Sequence, residues 1–160
     1  MRKIFSIRLI ICAAALTMAL GVGIFFIYTL VLRTEYKNAA LDMNEPFRQS
    51  ASVTLLRGDE SFSVPTDQVE YYNTFLLDQN TTVFSKKQVP ETEETITLDF
   101  GTQQLSFTGL EDGSAIAVSW KDPSGEKHYI VRSATMFMQL SAYYTNCRRK
   151  YKDYGREKRN

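Results

Sequence analysis

At 160 residues, with a formal net charge of +1, two cysteines and one histidine, the chain has the length for one modest domain and an appendage. Cys12 and Cys147 stand at opposite ends, so no internal disulfide is expected and a packed core must hold the fold. A lone His128 without ligand-spaced companions weighs against a zinc site. The absence of a phosphate-cradling glycine loop or dinucleotide fingerprint weighs against nucleotide chemistry, and no cofactor or metal is expected.

Residues 9–32 run without one charge. As a helix this stretch is roughly 36 Å long, enough to cross a hydrocarbon core of about 30 Å with some tilt. A cleaved signal peptide is the alternative. Its small residues should follow the apolar run, but here Ala13, Ala14, Ala15 and Ala19 lie inside it, and the exit Tyr28-Thr29-Leu30-Val31-Leu32-Arg33 is a poor cleavage site. Leu9-Ile10-Ile11-Cys12 fails as a lipoprotein box, because Ile11 is too large and Arg8 too close. The reading is an uncleaved transmembrane anchor.

Flanking charge sets the expected orientation. Arg2, Lys3 and Arg8 precede the span without an acid, whereas Arg33 and Lys37 are mixed with Glu35, Asp42 and Glu45. Basic residues stay on the cytoplasmic side, so residues 1–8 are expected inside and the rest outside, in a single-pass protein of the cell membrane. Ala15, Ala19 and Gly23 fall four apart, a stripe that lets helices approach closely in lipid and points to a homo-oligomer or a membrane partner. The competing reading is ordinary anchor composition.

Residues 33–50 read as a polar connector with Pro46 breaking any helix that continues from the membrane, although its first half can extend the span by a turn or two. An α+β domain over residues 51–147 follows. Taking Gly58-Asp59 as a two-residue turn sets Leu55 opposite Phe62 and Val53 opposite Val64. Gly101-Thr102 does the same for Leu98 with Leu105 and Ile96 with Phe107.

Between the hairpins, Pro65-Thr66-Asp67 starts a helix, with Asp67 and Glu70 spaced as an approximate capping box and Val69, Tyr72, Phe75 and Leu76 as its stripe. Val83 and Phe84 make a short strand, and residues 88–94 a loop. After a turn at Glu111-Asp112-Gly113, Ile116, Val118 and Trp120 alternate as a strand. A turn at Asp122-Pro123-Ser124-Gly125 leads into another around Tyr129-Ile130-Val131. Ser133 caps a last helix with the stripe Met136, Phe137, Leu140, Tyr143, Tyr144 and Cys147. The expected domain is a mostly antiparallel sheet with two helices on one face.

Charge is segregated along the chain. Residues 34–147 carry eight basic and sixteen acidic groups, so nucleic acid is not an expected partner. Residues 148–160 form a basic tail: Arg148, Arg149, Lys150, Lys152, Arg156, Lys158 and Arg159. It is a candidate contact for anionic lipid or another polyanion, set against a simple solvated end. Arg57-Gly58-Asp59 spells a tripeptide that integrins read, though Gly-Asp is also ordinary turn chemistry.

In plan, with the strand pieces Ser52-Val53-Thr54-Leu55, Ser63-Val64-Pro65 and His128-Tyr129-Ile130-Val131-Arg132, the chain resembles the small membrane-tethered proteins of Gram-positive bacteria that have no assigned function. The resemblance implies a basic start, one span and a short α+β outer domain, and no activity. The functional expectation is a non-enzymatic, membrane-anchored extracytoplasmic module that binds a protein partner in the cell envelope. A sensor of envelope ligands that signals through a membrane partner is the second reading. An envelope hydrolase is the third, and it would have to use His128 with a carboxylate, a serine or Cys147.

Overall fold

The computed structural model describes residues 2–110 and 113–157, with side chains for residues 11–110 and 113–151. It begins with one long helix, α1 (Arg2–Gln49). From residue 11 this helix is long and apolar enough to cross a membrane, and the side chains of residues 11–28 are exposed.

The expected connector at 33–50, broken at Pro46, is instead helical to Gln49. Leu32, Tyr36, Ala39, Ala40 and Met43 recur at helical spacing and are buried, and Phe47 packs behind them. An interior proline costs a helix up to about 3 kcal/mol. Here Pro46 lies in the last turn, where Ser50 N–H still reaches its carbonyl at 3.0 Å. The Phe47 ring meets Phe100 edge-on at 4.9 Å, and such packing holds the helix past the missing donor.

Seven strands follow: β1 (Ser52–Arg57), β2 (Glu60–Pro65), β3 (Thr82–Ser85), β4 (Ile96–Asp99), β5 (Gln104–Gly109), β6 (Ile116–Asp122) and β7 (Gly125–Arg132). They form one antiparallel sheet in the order β2-β1-β4-β5-β6-β7-β3. Both expected hairpin registers are present, Leu55 with Phe62 and Leu98 with Leu105. Gly58 and Gly101 sit at φ +54° and +90°, which a first-position turn glycine allows without a Cβ clash. Of the turn expected at 111–113, Glu111 and Asp112 lie outside the described residues.

The helices share one face of the sheet. α1 crosses it, with Tyr36 edge-on to Tyr129 at 5.2 Å. A 3-10 turn (Thr66–Val69) leads into α2 (Glu70–Leu76), whose Tyr72 and Phe75 rest on Phe107. α3 (Phe137–Glu157) buries Leu140, Tyr144 and Cys147. The architecture is α+β, as expected, with one candidate span.

Two local expectations fail. Asp67 and Glu70 make no capping box, because the chain enters through a 3-10 turn and neither cap position has a side-chain bond. Ser133 does not cap α3 either. Its Oγ donates to Asp78 Oδ2 (2.8 Å) and accepts from Thr135 N–H (3.2 Å), tying the loop to the end of α2. The helix starts at Phe137, with Gln139 Oε1 accepting Met136 N–H, and Met136 itself is exposed.

Gly109, at the end of β5, has no room for a side chain. A Cβ there would lie 2.5 Å from Phe137 Cδ1 and 2.8 Å from Cγ. Gly109→Ala must therefore push the ring that seats α3. We expect it to lower the unfolding free energy by about 1–3 kcal/mol, read from the fluorescence of Trp120 during urea unfolding in micelles. Adding Phe137→Leu should return part of the loss.

Candidate functional site

The sheet is not fully paired at one corner, and a cleft opens there. β3 pairs with β7 only from Thr82–Arg132 to Ser85–Ile130, with a bulge between Val83 and Ser85, after which the chain leaves as Lys86. The remaining edge of β7 faces α1 across a cleft of about 470 Å³. Glu35, Asn38, Ala39 and Asp42 of α1 form one wall, Lys86 one end, and residues 126–129 of β7 the floor.

The charged groups of the cleft are largely spent on one another. Lys86 pairs with Glu35, and that hydrogen bond, more than any other influence, holds the ammonium above its ordinary pKa. Lys127 Nζ lies 4.7 Å over the Trp120 ring and 3.9 Å from Asp42. Burial pushes the Tyr129 phenol up.

His128 is held from two sides, Nδ1 at 3.0 Å from Ser119 Oγ and Nε2 at 3.9 Å from Glu126 Oε2. Serine, histidine and carboxylate in sequence invite comparison with a hydrolase. Register accounts for the contacts more simply. Ser119 and His128 are opposite partners of β6 and β7, and Glu126 is two residues along the same strand face. The backbone of Ser119 lies in a strand flanked by β5 and β7, so its own amide belongs to the sheet ladder. The same outer face carries equivalent cross-strand pairs, Thr97 with Ser106 (2.8 Å) and Thr95 with Thr108 (2.9 Å). Among the described residues, no group of three acids, histidines or cysteines could hold a metal ion.

A second cleft, about 430 Å³, lies between the β1–β2 turn and α3. Arg57 turns away from the tip, donating to Ser141 Oγ at 2.7 Å and lying over the Tyr144 ring at 5.6 Å. The tripeptide Arg57-Gly58-Asp59 is thus not displayed as a unit. Arg148, the first residue of the expected tail, donates to Glu60 at 2.6 Å, and Lys150 donates to Gln68 at 2.9 Å. There is no break before residue 148, since α3 continues to Glu157. Arg149 is exposed, the side chains of Lys152 and Arg156 lie outside the described residues, and so do Lys158 and Arg159 altogether.

Cys147 lies on the buried face of α3, where burial pushes its thiol pKa up and its Sγ lies 3.6 Å from the Gln68 carbonyl. A thiol held protonated makes a poor nucleophile. Cys147 does not line the His128 cleft. Ala15, Ala19 and Gly23 are exposed on the apolar half of α1, and a Cβ at Gly23 would meet nothing within 4 Å.

The sequence reading missed the cleft because it treated residues 33–50 as linker. The signal was present in Tyr36, Ala39, Ala40, Met43 and Phe47, an apolar stripe at helical spacing. Comparison with protein-family models, curated proteins and solved structures found no match to the chain.

Proposed function

We propose that this protein is a single-pass, membrane-anchored module, its sheet domain outside the cytoplasm, that docks a protein partner close to the bilayer. The observation that carries the reading is the unbroken passage of α1 from its apolar half into the core of the sheet domain. Leu32, Tyr36 and Met43 are buried there, and Arg33 Nη2 donates to the Gln79 carbonyl at 2.6 Å. A flexible tether would merely keep a domain nearby, whereas a helix locked to a sheet fixes its height and orientation. Such fixing is useful when the target is itself in or on the membrane. The orientation rests on Arg2, Lys3 and Arg8 before the span and the acidic body after it.

The test has two arms. Protease added to intact cells should digest the carboxyl-terminal domain, and mild-detergent solubilisation should recover the chain with a stoichiometric protein partner. Protection of the domain would reverse the orientation, and recovery of the bare chain would remove the partner.

The ligand-sensor reading draws on the cleft volume, which lies within the roughly 300–1,000 Å³ usual for small-molecule sites. It is the weaker of the two, because the polar groups that would orient a ligand already bind each other.

A further inference from the structure

Resting on that reading, we infer that the partner is engaged by strand addition: an extended segment of it lies along the open edge of β7, antiparallel, as a continuation of β3. Part of β7 has an unpaired edge. β7 is paired with β6 from Ile116–Val131 down to Asp122–Gly125, but with β3 only from Arg132 to Ile130. In an antiparallel ladder, alternate residues aim their N–H and C=O to opposite sides. The two-residue turn at Pro123-Ser124 points residues 125, 127 and 129 at β6, so Glu126 and His128 point away from it.

The sister hairpin obeys the same rule. Phe100 N–H bonds the Gln103 carbonyl at 2.9 Å beside its turn, and the side-chain pair Thr97–Ser106 falls on a position that does not exchange backbone bonds. The Ser119–His128 pair occupies the equivalent position. Among the described residues, no backbone group bonds Glu126 or His128 from the open side.

The open edge is the floor of a cleft, with Asn38, Ala39 and Asp42 of α1 standing over it and Lys86 marking where β3 stops. Five residues of strand span about 17 Å, and a neighbouring strand needs about 4.8 Å of lateral room. A walled slot of that kind admits an extended chain more readily than a helix.

The charged side chains of the edge are engaged away from it. Natural sheets guard open edges with prolines or with charges that project into them. Here Lys127 is drawn back over Trp120 towards Asp42, and Glu126 leans to His128. Main-chain bonds to Glu126 and His128 would give affinity, and the small Ala39 leaves space for alternate side chains of the guest. Glu35 to Asp42 lie about 5–15 Å beyond Leu32 along the helix, so the guest is a segment close to the membrane surface.

The test uses the full chain in its native membranes with a photo-crosslinking residue at position 38, and at the exposed position 41 as comparator. Position 38 should capture one contiguous segment of a partner, mapped by mass spectrometry, at least tenfold better than position 41. Glu126→Pro removes an outward N–H without touching the β6 ladder and should cut capture at least tenfold. Should that variant fold poorly, Asn38→Trp, which fills the slot from α1 (with the crosslinker then moved to position 42), must cut it equally. A partner that co-purifies but crosslinks equally from position 41, or that survives both variants, overturns strand addition and leaves the docking module standing. Crosslinks that map to a second copy of this chain overturn it as well. Failure to recover any partner defeats the docking reading and this inference together.

Discussion

A chain cut to residues 32–160 will give a folded domain, and one cut to residues 51–160 will not. The second removes Leu32, Tyr36, Ala39, Ala40 and Met43 from the core and strips the cover from Tyr129. Burying a large apolar side chain is worth about 1.5–3 kcal/mol. Tyr36, Met43 and Leu32 together therefore contribute an amount comparable to the whole net stability of a typical domain, about 5–15 kcal/mol. Dispersed amide resonances in a proton–nitrogen correlation spectrum should mark the longer form. The shorter should give collapsed resonances or aggregate through its uncovered sheet face. Two equally dispersed spectra would mean that α1 only leans on the domain.

Phe107→Ala should be the most damaging single substitution away from α1. The ring is fully buried at the centre of β5, beneath Tyr72 and Phe75 at 5.4 and 5.6 Å, with Ile96 and Val118 as its cross-strand partners. Truncation leaves a cavity that four elements would have to collapse into, and such changes cost about 3–5 kcal/mol. Urea unfolding followed through Trp120 should show the midpoint falling with the slope unchanged. Phe107→Leu, which fills more of the space, should cost less than half as much. Tyr72 adds a second constraint, because its hydroxyl donates to the Leu140 carbonyl at 3.0 Å and its ring cannot slide into the void without breaking that bond.

The hairpins were legible in the sequence because two local rules agree there. A glycine-first turn fixes the register, and alternation then puts Leu55, Phe62, Leu98 and Leu105 on one face. Applied to Asp122 and Gly125, the same arithmetic would have set Ser119 opposite His128.

The order of the strands was not legible. β1 pairs with β4 and β3 with β7 across long stretches of chain, and no local signal encodes such meetings. The docked half of α1 was hidden by its own exterior. Lys37, Asn38, Asp42 and Glu45 make it look like linker, and Pro46 looks like a stop, so the stripe beneath went unread. Ser133 matched a capping position and bonded Asp78 instead, because a tertiary contact outweighs a cap worth about 1 kcal/mol, while Asp67 and Glu70 matched a capping spacing that the 3-10 entry to the helix displaced.

A rod without a joint has a mechanical consequence. If the apolar half of α1 lies in a bilayer as proposed, a thinner membrane makes it lean, and the sheet must lean with it because Tyr36 and Met43 permit no swivel. The slot beside β7 would then tip towards or away from the lipid by the same angle. Membrane thickness would set how far a guest must stretch to reach it.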